Sequence, residues 1–510
     1  MTCFVRGLGG SVRSSRVGLA IATSVMAVVL ATSVVGAGGA STASDATLQP
    51  ASGGKGTPFI AGTTFDLASV GYQQSEYLFS GTASAYTSAK PLTSDGKWSV
   101  TPASTAPFTT RLLVYRPVNP KHFNGTVVVE WNNVSGGLDT APIWLVAHDE
   151  LIREGYAWVG VTTQKVGVEG GTKAVVPNLD LKHFDPARYG TLVHPGDSYS
   201  YDMYRQAGVA VRHDVATLLG GLKPKHVLAA GESQSAFRMT TYIDAIEPIS
   251  KGVYDGYFVY SRGGDGAALS QSPQPDIATP NPTFIRTDLT VPVMTFTTET
   301  DLVKLGYLGA RQPDTKRFRN WEVAGTAHAD SYTLVVGMTD SGKPESDVQL
   351  FQTMLDPPIG LYNDIIKCGS AFNTGPMTYV LRASIDALDT WVATGTPPPK
   401  TPRLQTTGDT TAPFALDANG NVKGGIRTPQ VDAPVATLSG LGQTGSNFCT
   451  IFGTTKPFDA AKLTALYPSH AAFVKAWNAA TRRAVKAGVV VAADAKDIDA
   501  AAEQSTVGTR

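Results

Sequence analysis

Charge is scarce and evenly split in this 510-residue chain. Asp, Glu, Lys and Arg make up 16% of it, with 42 basic and 42 acidic residues. No basic stripe suggests nucleic acid, and no acidic block suggests a solvating tail. Cysteine is rarer still, at three residues, none of them paired as Cys-x-x-Cys. His-Glu-x-x-His is also missing, so no metal or other cofactor is expected. Past residue 43 no segment holds 18 uninterrupted apolar residues, which leaves no stretch to span a membrane once the N-terminus is removed. Gly (52) and Pro (32) are plentiful but follow no period, and no internal repeat occurs. Fibrous and repeat architectures are therefore excluded. The 42% hydrophobic content excludes a disordered chain and supplies a large core. One compact domain rarely exceeds roughly 250–300 residues, so one elaborated domain or two are expected.

The first 43 residues lack Asp and Glu altogether. They carry Arg6, Arg13 and Arg16, then a mostly apolar run from Val17 to Val35, then small residues around Ala40 and Ala43. Positive, apolar, small is the order of an export signal, here cut near Ala40 or Ala43; an uncleaved anchor is the alternative. Export predicts a secreted or cell-envelope protein. Cleavage would leave 39 basic against 42 acidic residues, and two cysteines, Cys368 and Cys449. An even count in an oxidising compartment predicts that these two pair.

Residues 44–60 read as a flexible leader. Residues 71–116 read as strands, most clearly over 109–116. An alternating series follows: strands at 126–130, 157–161, 226–230, 256–260, 291–296 and 318–323, with helices at 143–154, 203–219 and from 234 to about 246. Strands separated by helix-length segments imply a mostly parallel sheet covered on both faces. Residues 164–200 are too long for an ordinary connection and suggest a lid-like insertion. Its aromatic residues Phe184, Tyr189, Tyr199 and Tyr201 are candidates for a pocket mouth. A helix is predicted over 379–392, β structure over 404–455 with a hairpin at 417–420, and helix over 458–503. The expected layout is a domain over 61–455 and a helical segment over 456–510.

The strongest local signal is Gly231-Glu-Ser233-Gln-Ser235, entered from an apolar strand and leaving into a helix. A serine on so tight a turn is forced onto a strained tip with its hydroxyl free, and the turn needs small neighbours two residues before and after. Ser235 stands where a second glycine is usual. Ser233 is thus the candidate nucleophile. In this strand–turn–helix arrangement the base follows the serine, and only His328 and His470 of eight histidines do so. His470 sits in an amphipathic helix and reads as a packing residue. His328 lies in the small-residue loop Gly325-Thr-Ala-His328-Ala-Asp330. The acid that orients it belongs in a loop after an intervening strand. Asp301 fits best, Glu299 lies two residues earlier, and Asp265 follows the strand before. Stabilising an oxyanion needs two backbone N–H donors. Gln234 is expected to give one. The other is expected from the loop Glu130-Trp131-Asn132-Asn133, with Asn133 first and Val134 next. Asn133-Val-Ser135 also fits a glycosylation sequon, though a sugar there would block the site. Trp131 and Arg262 are candidates for contacting substrate, Arg262 through an anionic group or, alternatively, in a structural ion pair.

These segments resemble the α/β-hydrolase superfamily and, more narrowly, the family described as "alpha/beta hydrolase domain" proteins. The resemblance rests on Glu130–Asn133, Gly231–Ser235, Ser261–Gly264, Thr298–Asp301, Gly325–Asp330 and Gly424–Pro429. It implies an α/β-hydrolase fold with a C-terminal β and helical extension. It also implies a triad of Ser233, His328 and an acid at 299 or 301. The expected activity is cleavage of a small-molecule carboxylic ester. Amide hydrolysis or acyl transfer by the same triad is the alternative, and a non-catalytic binding protein on the same scaffold is a third.

Overall fold

The computed structural model describes residues 46–171, 177–361, 366–446 and 448–509. The expected export signal lies outside them. Among the described residues one mixed sheet dominates. Its strands are β1 (Thr47–Pro50), β2 (Tyr72–Thr87), β3 (Thr101–Pro117), β4 (Thr126–Trp131), β5 (Ala157–Val161), β6 (His226–Glu232), β7 (Gly256–Tyr260), β8 (Val293–Thr297) and β9 (Phe318–Glu322). They lie in the order β1-β2-β3-β5-β4-β6-β7-β8-β9. The first three and β5 pair antiparallel; from β5 through β9 every pairing is parallel.

The central strands are largely apolar and buried along their whole length, as a sheet covered on both faces demands. Alternation sorts their side chains. Val127, Val129 and Trp131 enter one core, and Val128 enters the other. The helices α1 (Pro142–Arg153), α2 (Ser200–His213) and α3 (Gln234–Thr241) follow β4, β5 and β6. Later come α4 (Pro344–Leu355), α5 (Met377–Thr394), α6 (His470–Lys486) and α7 (Ala492–Glu503). Residues of α1, α4, α5, α6 and α7 share one core, on the face opposite α2 and α3. The helix expected to reach Leu219 breaks at Asp214. Asp214 and the β-branched Val215 and Thr217 are weak helix formers, and a separate turn covers Val215–Leu218.

The start of α1 has no side-chain cap of its own. Glu130, at the end of β4, supplies it by accepting from the Ile143 and Trp144 N–H groups at 2.8 and 3.0 Å. Its carboxylate also accepts from Trp158 Nε1. Burial pushes this carboxyl up to about 8.

The described residues of the 164–200 insertion pack against β2. Arg188 Nε and the Tyr189 hydroxyl both reach the buried Glu76, and Phe184 stacks on Phe59 at 3.9 Å. The C-terminal third returns to the sheet. Ile426 bridges to Val323 in parallel, its N–H donating to Glu322 O at 2.7 Å while Ala324 N–H donates to Ile426 O. The segment Gly424–Pro429 thereby continues the sheet just beyond β9. Two further strands, β10 (Ala436–Ser439) and β11 (Thr454–Pro457), pair antiparallel nearby. Cys368 and Cys449, 81 positions apart in sequence, form a disulfide with Cα atoms 5.5 Å apart.

Candidate active site

In-register pairing of β4 with β6 sets Trp131 beside Gly231, so the loops after both strands leave the sheet at one level. Ser233 sits on the turn after β6 with φ +52° and ψ −119°, a conformation that non-glycine residues rarely adopt. A Cβ on Gly231 would meet the Ser235 carbonyl oxygen at 2.8 Å, which is why glycine is required there. Ser235 fits in place of the second glycine because its own side chain is used. It is buried, and its hydroxyl donates to Asn132 O at 3.1 Å, tying the serine turn to the loop after β4.

Ser233 Oγ lies 2.8 Å from His328 Nε2. On the far side of the ring, His328 Nδ1 lies 2.6 Å from Asp301 Oδ1. The other oxygen of Asp301 accepts from Thr298 N–H at 2.8 Å, while Asp301 N–H donates to Thr298 Oγ1. This capping box opens the short helix Glu299–Val303 and fixes the carboxylate that faces the histidine. The His328 backbone N–H donates to Thr300 Oγ1 at 3.2 Å. Burial opposes charge on His328, but the hydrogen bond and charge of Asp301, with the charge of Glu232, outweigh it and raise the imidazole above its ordinary value.

The competing acids have other surroundings. Glu299 accepts from the Gly325 and Gly440 N–H groups at 2.6 and 2.8 Å, holding the histidine loop against the C-terminal region. Burial pushes its carboxyl up to about 7. Asp265 makes no contact with His328 among the described residues. His470 spends both ring nitrogens on the Val507 and Glu503 carbonyls, as a packing residue would.

The loop after β4 differs from expectation at one atom. The Asn133 N–H donates to Thr140 O at 3.0 Å and so is not free for substrate. The reason is a short antiparallel bridge between Asn133 and Thr140 that closes the loop. The N–H of Val134 has no acceptor among the described residues, nor has that of Gln234 in the first position of α3. The Asn133 side chain has a different use: its Nδ2 donates to Glu232 Oε2 at 2.8 Å.

Ser233, His328, Glu232 and Asn133 lie on a cavity of about 470 Å³. Its far wall is apolar. Leu145 and Val146 come from α1, Leu334 and Met338 follow the histidine loop, and Ile366, Phe448, Ile451 and Phe452 flank the two bridged cysteines. Several expected contacts fall elsewhere. Trp131 is fully buried on the sheet side, its Nε1 donating to Gln164 at 3.0 Å between Tyr201 and Tyr204. Odd positions of β4 face that core, so its side chain points away from the cavity. Arg262 is fully buried too, donating to the Gly263 and Thr283 carbonyls and lying over the Tyr307 ring at 5.4 Å. It forms no ion pair among the described residues. Phe184, Tyr189, Tyr199 and Tyr201 line no part of this cavity. The sequence reading missed Glu232 and the wall beside the disulfide. Glu232 was open to notice, since it stands between the glycine and the serine of the turn.

Among the described residues no group of three or more His, Cys, Asp or Glu is arranged to hold a metal, and no helix is long and apolar enough to cross a membrane. No curated protein matches the chain. Solved structures similar to it include fungal esterases from Rhizomucor miehei, at 14% identity over 57% of this chain and 89% of that one, with a TM-score of 0.28. Esterase Est22 is similar at 12% identity over 51% of this chain and 74% of that one, TM-score 0.28. A rice cell wall degrading esterase from Xanthomonas oryzae is similar at 14% identity over 40% and 48%, TM-score 0.23. The family model described as "Alpha/beta hydrolase domain" matches residues 47–500. From the serine turn to the histidine loop and the returning C-terminal segment, the chain belongs to the alpha/beta hydrolase family.

Proposed function

We propose that this hydrolase is an exported serine esterase that cleaves small carboxylic esters through an acyl-enzyme. The observation that carries the reading is the unbroken hydrogen-bonded series Ser233–His328–Asp301 on the floor of a cavity. His328 Nε2 takes the Ser233 proton as Oγ bonds to the ester carbonyl carbon. Asp301 keeps the proton of His328 on Nδ1, so that Nε2 is the basic nitrogen, and stabilises the imidazolium that forms. The N–H groups of Gln234 and Val134 receive the oxyanion; both lack an internal acceptor, and α3 starts at Gln234 with the positive end of its dipole. The imidazolium then protonates the departing alcohol as its bond to carbon breaks. A water activated by His328 releases the acid.

The apolar wall supports an uncharged, hydrophobic acyl or alcohol group as the part recognised. The basic, apolar, small order of residues 1–43 supports export, and the Cys368–Cys449 bridge is at home in an oxidising compartment. A fluorophosphonate probe tests the nucleophile: covalent labelling of Ser233 in folded protein is expected, and its absence would sink the reading. A panel of esters and matching amides, each also run with an acceptor alcohol, defines the reaction class.

A further inference from the structure

Glu232 ends β6 one residue before the serine, and its side chain turns into the cavity. Its Oε1 is 3.3 Å from His328 Nε2, the same nitrogen that faces Ser233 Oγ at 2.8 Å. Its Oε2 is held by Asn133 Nδ2 at 2.8 Å. Two carboxylates therefore bracket one imidazole, Asp301 at Nδ1 and Glu232 at Nε2. The serine triad needs only the first. A carboxylate is costly to bury, and this one is pushed up to about 7 by burial, against which the neighbouring imidazole and the Asn133 amide pull it down.

We propose that Glu232 is a positioning residue for His328: held by Asn133, its carboxylate stands ready to receive the Nε2–H once the ring is protonated and so stabilises the imidazolium in both halves of the reaction. The proposal rests on the triad reading above. When Nε2 takes the proton from Ser233, the positive ring lies between two negative groups. The Oγ–carbon bond has formed by then, and the serine oxygen has ceased to be a good partner for Nε2–H. Glu232 Oε1 is the fixed acceptor left on that side until the leaving oxygen takes the proton. At pH 8, above its raised value, Glu232 is ionised and takes no proton in the cycle, so its charge is present again when the attacking water is deprotonated.

The alternative role is purely structural, with Glu232 serving only to anchor the loop after β4 through Asn133. A pH profile separates the two. The charged or titratable neighbours are Asp301 at Nδ1, Glu130 on β4, Tyr260 on β7, and Glu299 and Asp330 in the adjoining segments. All of them remain in a Glu232→Gln variant, so a change of profile reads Glu232. The negative charge of Glu232 helps raise His328, so its removal lowers the imidazole. In Glu232→Gln the acid limb of kcat/KM should move to lower pH by about one unit, and kcat at pH 8 should fall about tenfold. KM for a neutral ester should stay within about twofold. Active sites are counted by fluorophosphonate titration, so that misfolded protein does not enter the rate. Glu232→Asp, which keeps the charge, should hold the limb near its original place. An unmoved acid limb and an unchanged kcat in Glu232→Gln overturn the proposal. A Glu232→Asp limb that follows that of Glu232→Gln overturns the charge argument. Failure of Ser233 to label in the unmodified protein would instead remove the triad reading and this inference with it.

Discussion

The floor and the far wall of the cavity are built on different plans. The floor is polar, and it hangs from the ends of parallel strands of one sheet: Ser233 after β6, Asp301 after β8, His328 after β9. Each of its residues is placed by a few neighbours in sequence, such as the strained turn at Ser233 and the capping box at Asp301. The wall is apolar and comes from segments far apart in sequence, around 145, 334–338, 366 and 448–452, the last two of them tied by one disulfide. The contrast teaches that the floor is set by local sequence and the wall by the tertiary fold. The two should therefore fail separately when disturbed.

The largest expected effect lies on the floor. Ser233→Ala should lower kcat by about 10⁵-fold or more and abolish fluorophosphonate labelling, with the melting temperature little changed. Asp301→Asn should cost about 10³- to 10⁴-fold in kcat, since it disturbs the tautomer of His328 that leaves Nε2 basic. Glu299→Gln, two residues away, is the matched control. It should lower stability by about 1–3 kcal/mol by leaving a glycine N–H without its carboxylate, and reduce kcat far less than Asp301→Asn. A larger kinetic loss at Glu299 would reverse the assignment of the acid. At the wall, replacing both Cys368 and Cys449 by serine should remove about 4 kcal/mol of stability by denaturant titration, from loop closure, while acetyl ester turnover persists in the folded fraction. Ile451→Ala should lower kcat/KM for long-chain esters about three- to tenfold relative to acetyl esters. Equal losses on both esters would mean that wall and floor are one unit. The smallest effect concerns acidity. Because His328 is raised, kcat/KM should fall with decreasing pH through a midpoint above 6.5, the ordinary imidazole value, as the base becomes protonated.

The same division explains what could be read from the sequence. The strands β4 to β8 were legible because their apolar runs are nearly continuous. The serine turn was legible because only small residues fit around it, and the histidine because chain order left two candidates. Choosing between Asp301 and Glu299 needed coordinates. Both lie in the first turn of one short helix, and side-chain direction, set by the capping box, separates them. Asn133 was the wrong backbone donor because a bridge to Thr140 uses its N–H, and no local pattern announces that pairing. Trp131 and Arg262 looked functional by their place in the segments Glu130–Asn133 and Ser261–Gly264 but are spent on internal packing. The wall beside Cys368 and Cys449 was invisible, since its members meet only through the tertiary fold.

The Asn133 side chain, fastened to Glu232 in the floor, has a practical consequence for producing the protein. Asn133-Val-Ser135 is an acceptor sequence for N-linked sugar, and oligosaccharyl transfer acts on chains that have not finished folding. A eukaryotic secretory host can therefore glycosylate Asn133 while it is still exposed. The modified amide has no room at a residue only 5% accessible in the native state. Such a glycoform would fold poorly or emerge inactive, and Ser135→Ala, which erases the acceptor sequence without touching Asn133, would restore the yield of active enzyme.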